Sequence, residues 1–155
     1  MDIEQAQARH DAGEPYAVAA VPAGSMQADR VVEVALRSNF VRVYFYDEAG
    51  RVVAAYRFRG SDGQLFLGEI TSWEYDDVDE YQGMNESLRI ESDEYNEDGT
   101  GIRTVRDKVA GESYQQELSL KPGETFDDRY EPAPRFGDYA SIARGERSQP
   151  PIPFG

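Results

Sequence analysis

Between residues 30 and 75 apolar and polar side chains alternate with a period of two, the repeat of a half-buried β-strand. In RVVEVALR (30–37), Val32, Val34 and Leu36 share one face. In FVRVYFYD (40–47), Val41, Val43 and Phe45 oppose Phe40, Arg42, Tyr44 and Tyr46. In RVVAAYRFR (51–59), Val52, Ala54, Tyr56 and Phe58 oppose Arg51, Val53, Arg57 and Arg59. The links DEAG (47–50) and GSDG (60–63) have hairpin-turn chemistry, with Gly where a positive φ is wanted. QLFLGEITSWEY (64–75) carries apolar groups on both parities, Leu65, Leu67 and Trp73 on one and Phe66 and Ile70 on the other. That pattern predicts a central strand or one bent at Gly68.

The signal weakens on either side of this run. Residues 2–12 read as a short polar helix or arm, and YAVAAV (16–21) as a short apolar run ended by Pro22. Residues 76–87 predict a loop or one helical turn. SLRIESDEY (87–95), GIRTVRDKV (101–109) and SYQQELSL (113–120) are further strand candidates, turning at NEDG (96–99) and AGE (110–112). After Lys121 the periodicity ends. Phe126, Tyr130, Phe136 and Tyr139 are expected to pack that segment onto the sheet. DYASIARGE (138–146) fits one short helix with Asp138 as N-cap, and SQPPIPFG (148–155) a polyproline-type tail. The organisation is therefore a polar arm (1–14), an antiparallel β domain (15–120) and an irregular Pro-rich extension (121–155). The fold class is all-β: a single antiparallel meander sheet, a sandwich or a small barrel. The core is expected to include Val32, Val34, Val41, Val43, Phe45, Tyr56 and Leu67.

Composition and charge narrow the function classes. The chain has 155 residues, a size suited to one domain with its own core. It has no Cys, which excludes disulfides, thiolate metal sites and cysteine nucleophiles. His10, in the polar arm, is the single histidine, which excludes a multi-histidine metal centre. No apolar run approaches the roughly 20 residues of a membrane span, and the acidic N-terminus lacks the apolar region of a secretory signal. A cytoplasmic location is expected. The formal net charge is −14, and its placement is uneven. Residues 69–99 hold 12 acids and one base, Arg89. Such a block repels nucleic acid and anionic membranes and attracts cationic partners.

YFYDEAGRVVAAYRF, Tyr44 to Phe58, resembles the unit of YD/RHS-type β-hairpin repeats found in bacterial antitoxin and immunity proteins. Those units read Tyr-Asp, two residues, Gly-Arg, then an apolar strand. The matching positions are Tyr46, Asp47, Gly50, Arg51 and Val52. EYNEDGTGIRTV (94–105) aligns Tyr95, Asn96 and Gly99 as a degenerate second copy that lacks the Arg after Gly. The resemblance implies a hairpin in which Asp47 bonds the turn backbone, and a protein that neutralises a partner.

No catalytic constellation stands out. There is no nucleophile motif, phosphate loop or nucleotide fingerprint, and no cofactor is implied. Glu94, Asn96, Asp98 and Gly99 follow the first half of an EF-hand loop, but position 12 is Val105 instead of a bidentate Glu, so no metal site is expected. What remains is binding. Trp73, Tyr75 and Tyr81 are candidate anchors interleaved with Glu74, Asp76, Asp77, Asp79 and Glu80, which would steer a basic protein partner such as a toxin or nuclease. The alternatives are a nucleic-acid mimic with rows of carboxylates along a face, and a small β-barrel enzyme or ligand carrier.

Overall fold

Short apolar strands separated by Gly- and Asp-containing turns pair with their neighbours in order. The computed structural model describes residues 1–61, 63–121, 127–145 and 147. Strands β1 (Tyr16–Ala20), β2 (Arg30–Ala35), β3 (Phe40–Tyr46), β4 (Val52–Ser61), β5 (Gln64–Glu74), β6 (Arg89–Tyr95), β7 (Thr100–Asp107) and β8 (Glu112–Ser119) form one antiparallel meander in chain order. Among the described residues β1 and β8 do not pair, so the sheet is open and not a barrel. A short ninth strand, β9 (Tyr130–Pro132), pairs with the first residues of β5, Gln64 to Phe66. The rest of β5, Glu69 to Glu74, pairs with β6.

The sheet has an inner and an outer face. Val32, Val34, Val41, Val43, Tyr56, Phe58, Leu65, Leu67 and Ile70 form the inner core, with Phe45 half-buried against it. Ala6 of helix α1 (Ile3–Ala12) and Phe136, Tyr139, Ile142 and Ala143 of the C-terminal segment cover this face. The register slips between Arg57 and Phe58, where Arg57 faces Glu69 but Phe58 faces Leu67. Gly68 is thus the extra residue of a β-bulge. The bulge moves Leu67 onto the face of Ile70 and separates it from Trp73, with which simple alternation grouped it.

Two expectations are corrected. The helix expected at 138–146 is not formed over its described residues, 138–145: Asp138 closes a turn by donating its N–H to the Arg135 carbonyl at 3.0 Å, and irregular turns follow. Their polar groups instead surround Glu131, which accepts from Arg144 at 2.7 Å, Arg147 at 2.8 Å and the Ser141 hydroxyl at 2.9 Å. The predicted strand 30–37 ends early, at Ala35. Leu36–Ser38 is a 3-10 turn, closed by Asn39 at φ 49°. Phe126 and the 148–155 tail lie outside the described residues.

His10 does not sit in a bare polar arm. A capping box between Asp2 and Gln5 starts α1. At its last turn His10 Nδ1 lies 2.7 Å from the Tyr16 hydroxyl, which lies 2.9 Å from that of Tyr139. The Phe136 ring meets His10 edge-on. Burial, followed by the bond to Tyr139, pushes the Tyr16 hydroxyl well above its usual range. This His-Tyr-Tyr chain ties the helix, the first strand and the covering segment together.

Candidate protein-binding surface

The acidic loop starts where β5 ends. The Leu88 N–H donates to the Glu74 carbonyl at 2.7 Å, so residues 75–87 leave and re-enter the sheet side by side. Inside the loop, Met84–Glu86 makes the single 3-10 turn expected. Lys108 Nζ holds the Asn85 carbonyl at 2.6 Å.

The other anchor comes from the β3–β4 hairpin. Gly50, at φ 78°, donates its N–H to the Asp47 carbonyl at 3.0 Å, and the Asp47 N–H donates to the Arg51 carbonyl at 3.0 Å. The Asp47 carboxylate accepts the Arg51 backbone N–H at 3.0 Å and its Nε at 2.7 Å. Burial alone would raise the Asp47 carboxyl. The backbone and guanidinium N–H groups of Arg51 outweigh it and hold the group below the usual carboxylate range. Nη1 of Arg51 then reaches across to the Val78 carbonyl at 2.7 Å, and its guanidinium lies 5.2 Å from the centre of the Tyr75 ring. The Tyr75 hydroxyl donates to the Val52 carbonyl at 2.6 Å. The Asp-x-x-Gly-Arg turn is therefore the clamp that shapes the acidic loop. The β6–β7 turn repeats its backbone pattern: Asn96 N–H to Thr100 carbonyl at 2.8 Å and Gly99 N–H to Asn96 carbonyl at 3.1 Å, with Thr100 in place of the arginine.

The eight candidate residues divide into three groups. Asp76, Asp77, Asp79, Glu80 and Tyr81 are exposed on the loop, Tyr81 at 74%. Asp76 accepts from Gln82 Nε2 at 2.7 Å, and among the described residues none of the four acids has a cation within ion-pair distance. Val78 and Met84 are exposed beside them. Tyr75 is engaged internally, as described. Trp73 and Glu74 point to opposite faces of β5. Glu74 lies on the inner side, 3.8 Å from Arg89. Trp73 is half-buried on the outer face, where it lines a groove of about 320 Å3 with Arg42, Tyr44, Arg57 and Met84, floored by Ala55, Thr71 and Ser92.

Most carboxylates on the sheet itself are neutralised. On the outer face Glu33 and Arg42 are 3.8 Å apart, and Arg57 pairs with Glu69. On the inner face Arg89 meets Glu91 at 2.9 Å, and Arg103 meets Glu91 and Asp93. These pairs recruit the acids of residues 89–95 into structure, which charge counting along the chain did not separate from the loop. Among the described residues no group of three or more His, Asp and Glu side chains is placed to hold a metal ion, and no helix is long and apolar enough to cross a membrane. No family model, curated protein or solved structure matches this chain.

Proposed function

We propose that this chain is an acidic protein-binding inhibitor of the immunity or antitoxin type, acting in a bacterial cytoplasm on a basic partner such as a toxin or nuclease. The observation that carries the reading is the 76–81 loop. Four carboxylates with no ion-pair partner among the described residues stand beside an exposed Tyr81, on a loop whose backbone Arg51 fixes in place. Unpaired like charges on one loop repel one another, and a cationic surface relieves that repulsion on binding. A preset loop also lowers the ordering cost of association. The likeness of residues 44–58 to YD/RHS hairpin units supports the same reading. The nucleic-acid mimic is less favoured because the sheet's carboxylates alternate with arginines instead of standing in rows.

The test is capture from lysate of the native cells, comparing the wild-type chain with a variant carrying Asp76→Asn, Asp77→Asn, Asp79→Asn and Glu80→Gln. The expected result is a basic protein retained by the wild type, released by moderate salt, and lost from the variant. Equal capture by both overturns it.

A further inference from the structure

The two edges of the sheet are built differently. β8 carries Glu112 and Glu117, both exposed, the kind of charge that keeps an edge from pairing with another chain. β1, Tyr16–Ala20, carries no charge at all. Ala17, Ala19 and Ala20 are exposed, and the prolines that could blunt the edge, Pro15 and Pro22, lie outside the strand. β1 pairs with β2 along its whole length. On its other side, among the described residues, no strand pairs with it. A groove of about 630 Å3 runs beside this edge, lined mostly by apolar residues, Val18, Ala20, Val32, Ala140 and Ala143 among them, with Arg30 and Arg144 also in the lining. An unpaired neutral edge next to a mostly apolar groove calls for a strand to cover both.

We propose that a second copy of this chain covers it, so that two β1 strands pair antiparallel about a two-fold axis and the two meanders become one continuous sheet. Three observations favour a second copy. The first is register. An antiparallel pair in one sheet keeps facing residues on the same side, so the two-fold must pass through a residue, and centring it on Val18 uses the whole strand. Val18 then faces Val18, Ala17 faces Ala19, and the large Tyr16 faces the small Ala20. The second is size: Ala17 and Ala19 leave the outer side of the junction free of bulk, while Val18 and Ala20 of the incoming strand enter the mostly apolar groove. The third is charge. The acidic loop leaves β5, four strands from β1, roughly 19 Å away at 4.8 Å per strand. Across the junction the two loops are separated by more than twice that, far beyond the Debye length of roughly 8 Å at physiological salt. The large net charge therefore does not oppose this contact. A basic partner, by contrast, is drawn to the loop and away from β1. The contact is independent of the inhibitor reading.

The absence of cysteine makes the test direct. Sedimentation equilibrium of the full chain is expected to give twice 17.4 kDa, falling to 17.4 kDa for Ala19→Lys, whose exposed site tolerates the lysine in the monomer. Circular dichroism confirms that this variant keeps its strands. Glu117→Lys on β8 is expected to leave the dimer mass unchanged. Val18→Cys is expected to oxidise to a disulfide-linked dimer, and Ala17→Cys is not, because the paired register places two copies of residue 17 beyond disulfide reach. A monomeric mass for the wild type overturns the proposal, as does a dimer that survives Ala19→Lys.

Discussion

Arg103 on β7 grips Asp93 on β6 through two parallel bonds, Nε to Oδ1 at 2.7 Å and Nη2 to Oδ2 at 2.6 Å, with both side chains almost wholly buried. Their registers face each other directly across the strands. Such a pair contributes little against a well-packed apolar alternative, but removing one member leaves the other buried and less compensated: without Asp93, Arg103 keeps only Glu91, 3.2 Å away. Asp93→Ala is expected to cost about 3 kcal/mol, the low end for a broken buried pair. That lowers the melting temperature by on the order of 10 °C. Replacing both, Asp93→Leu with Arg103→Met, should recover most of the loss. Chemical denaturation of the single and double variants checks this.

Tyr95 continues that network. Burial, then the Asp93 carboxylate, pushes its hydroxyl up to about 12, against the opposing pull of Arg129 and Arg103. A phenol whose folded pKa lies above its unfolded value of about 10 contributes stability that is complete below pH 10 and is lost as pH rises through 12. Absorbance titration at alkaline pH is expected to show a late tyrosine step that coincides with unfolding and is smaller by one tyrosine in Tyr95→Phe, Tyr16 keeping its own late share.

Arg51 links the hairpin to the acidic loop, so Arg51→Ala should act on both. It removes a partly buried ion pair worth about 1 kcal/mol. It also leaves residues 76–82 without their main tether, and limited proteolysis should cut there faster than in the wild type. Because Asp47 is held below its usual range, its contribution is present above about pH 4 and fades as pH falls through the lower folded value. The acid limb of the stability curve is therefore expected to be shallower in Arg51→Ala.

The strands themselves were legible because each pairs with its neighbour in sequence, so local alternation and turn residues carry nearly all the topology. The turn at 47–50, with Gly50 at its positive-φ position, could be placed from turn residues; that Asp47 bonds the turn backbone came from the resemblance to YD/RHS units, and the reach of Arg51 to the acidic loop had no local signal. Other features had no local signal. The bulge at Gly68 shifts a parity, which a period-two count cannot register. Arg103 and Asp93 look like exposed charges of a polar strand until β6 and β7 are set face to face. His10, Tyr16 and Tyr139 meet across the whole length of the chain. The 138–146 segment has a helical pattern, but Glu131, Arg144 and Arg147 claim its polar groups for irregular turns. Of the candidate surface, the exposed acids were legible as a block. That Tyr75 turns inward, and that Trp73 and Glu74 part to opposite faces, follows from strand pleating only once β5 has its bounds.

Steric limits differ sharply among the glycines. A Cβ on Gly101 would lie 2.3 Å from the Glu94 carbonyl oxygen, a backbone atom fixed by strand pairing. Gly111→Ala meets nothing within 4 Å and bears only the strain of φ 68°. Gly101→Ala is expected to cost about 1–3 kcal/mol. Gly111→Ala is expected to cost about 1 kcal/mol. The order of their denaturation midpoints tests the β6–β7 packing.

Trp73 is the single tryptophan, and it lies half-buried on the outer face. Its fluorescence is expected to be quenched by neutral acrylamide in the folded state. Iodide should quench it less, since the nearby acidic loop repels the anion. Neutralising Asp76 and Asp77 should narrow that difference without moving the emission maximum.

The fork in β5 sets an order of assembly during synthesis. Each strand of the meander finds its partner in the stretch of chain just made, so the sheet can grow vectorially as the polypeptide emerges. Its apolar inner face cannot close that way. β9, Ile142 and Ala143 arrive more than fifty residues after β5, and Arg147, which bonds the Asp128 carbonyl at 2.7 Å, comes later still. For that interval the nascent sheet presents Phe58, Leu65 and Leu67 to whatever is near. The C-terminal segment thus acts as a late-arriving lid on a hydrophobic surface that the rest of the chain has already laid out.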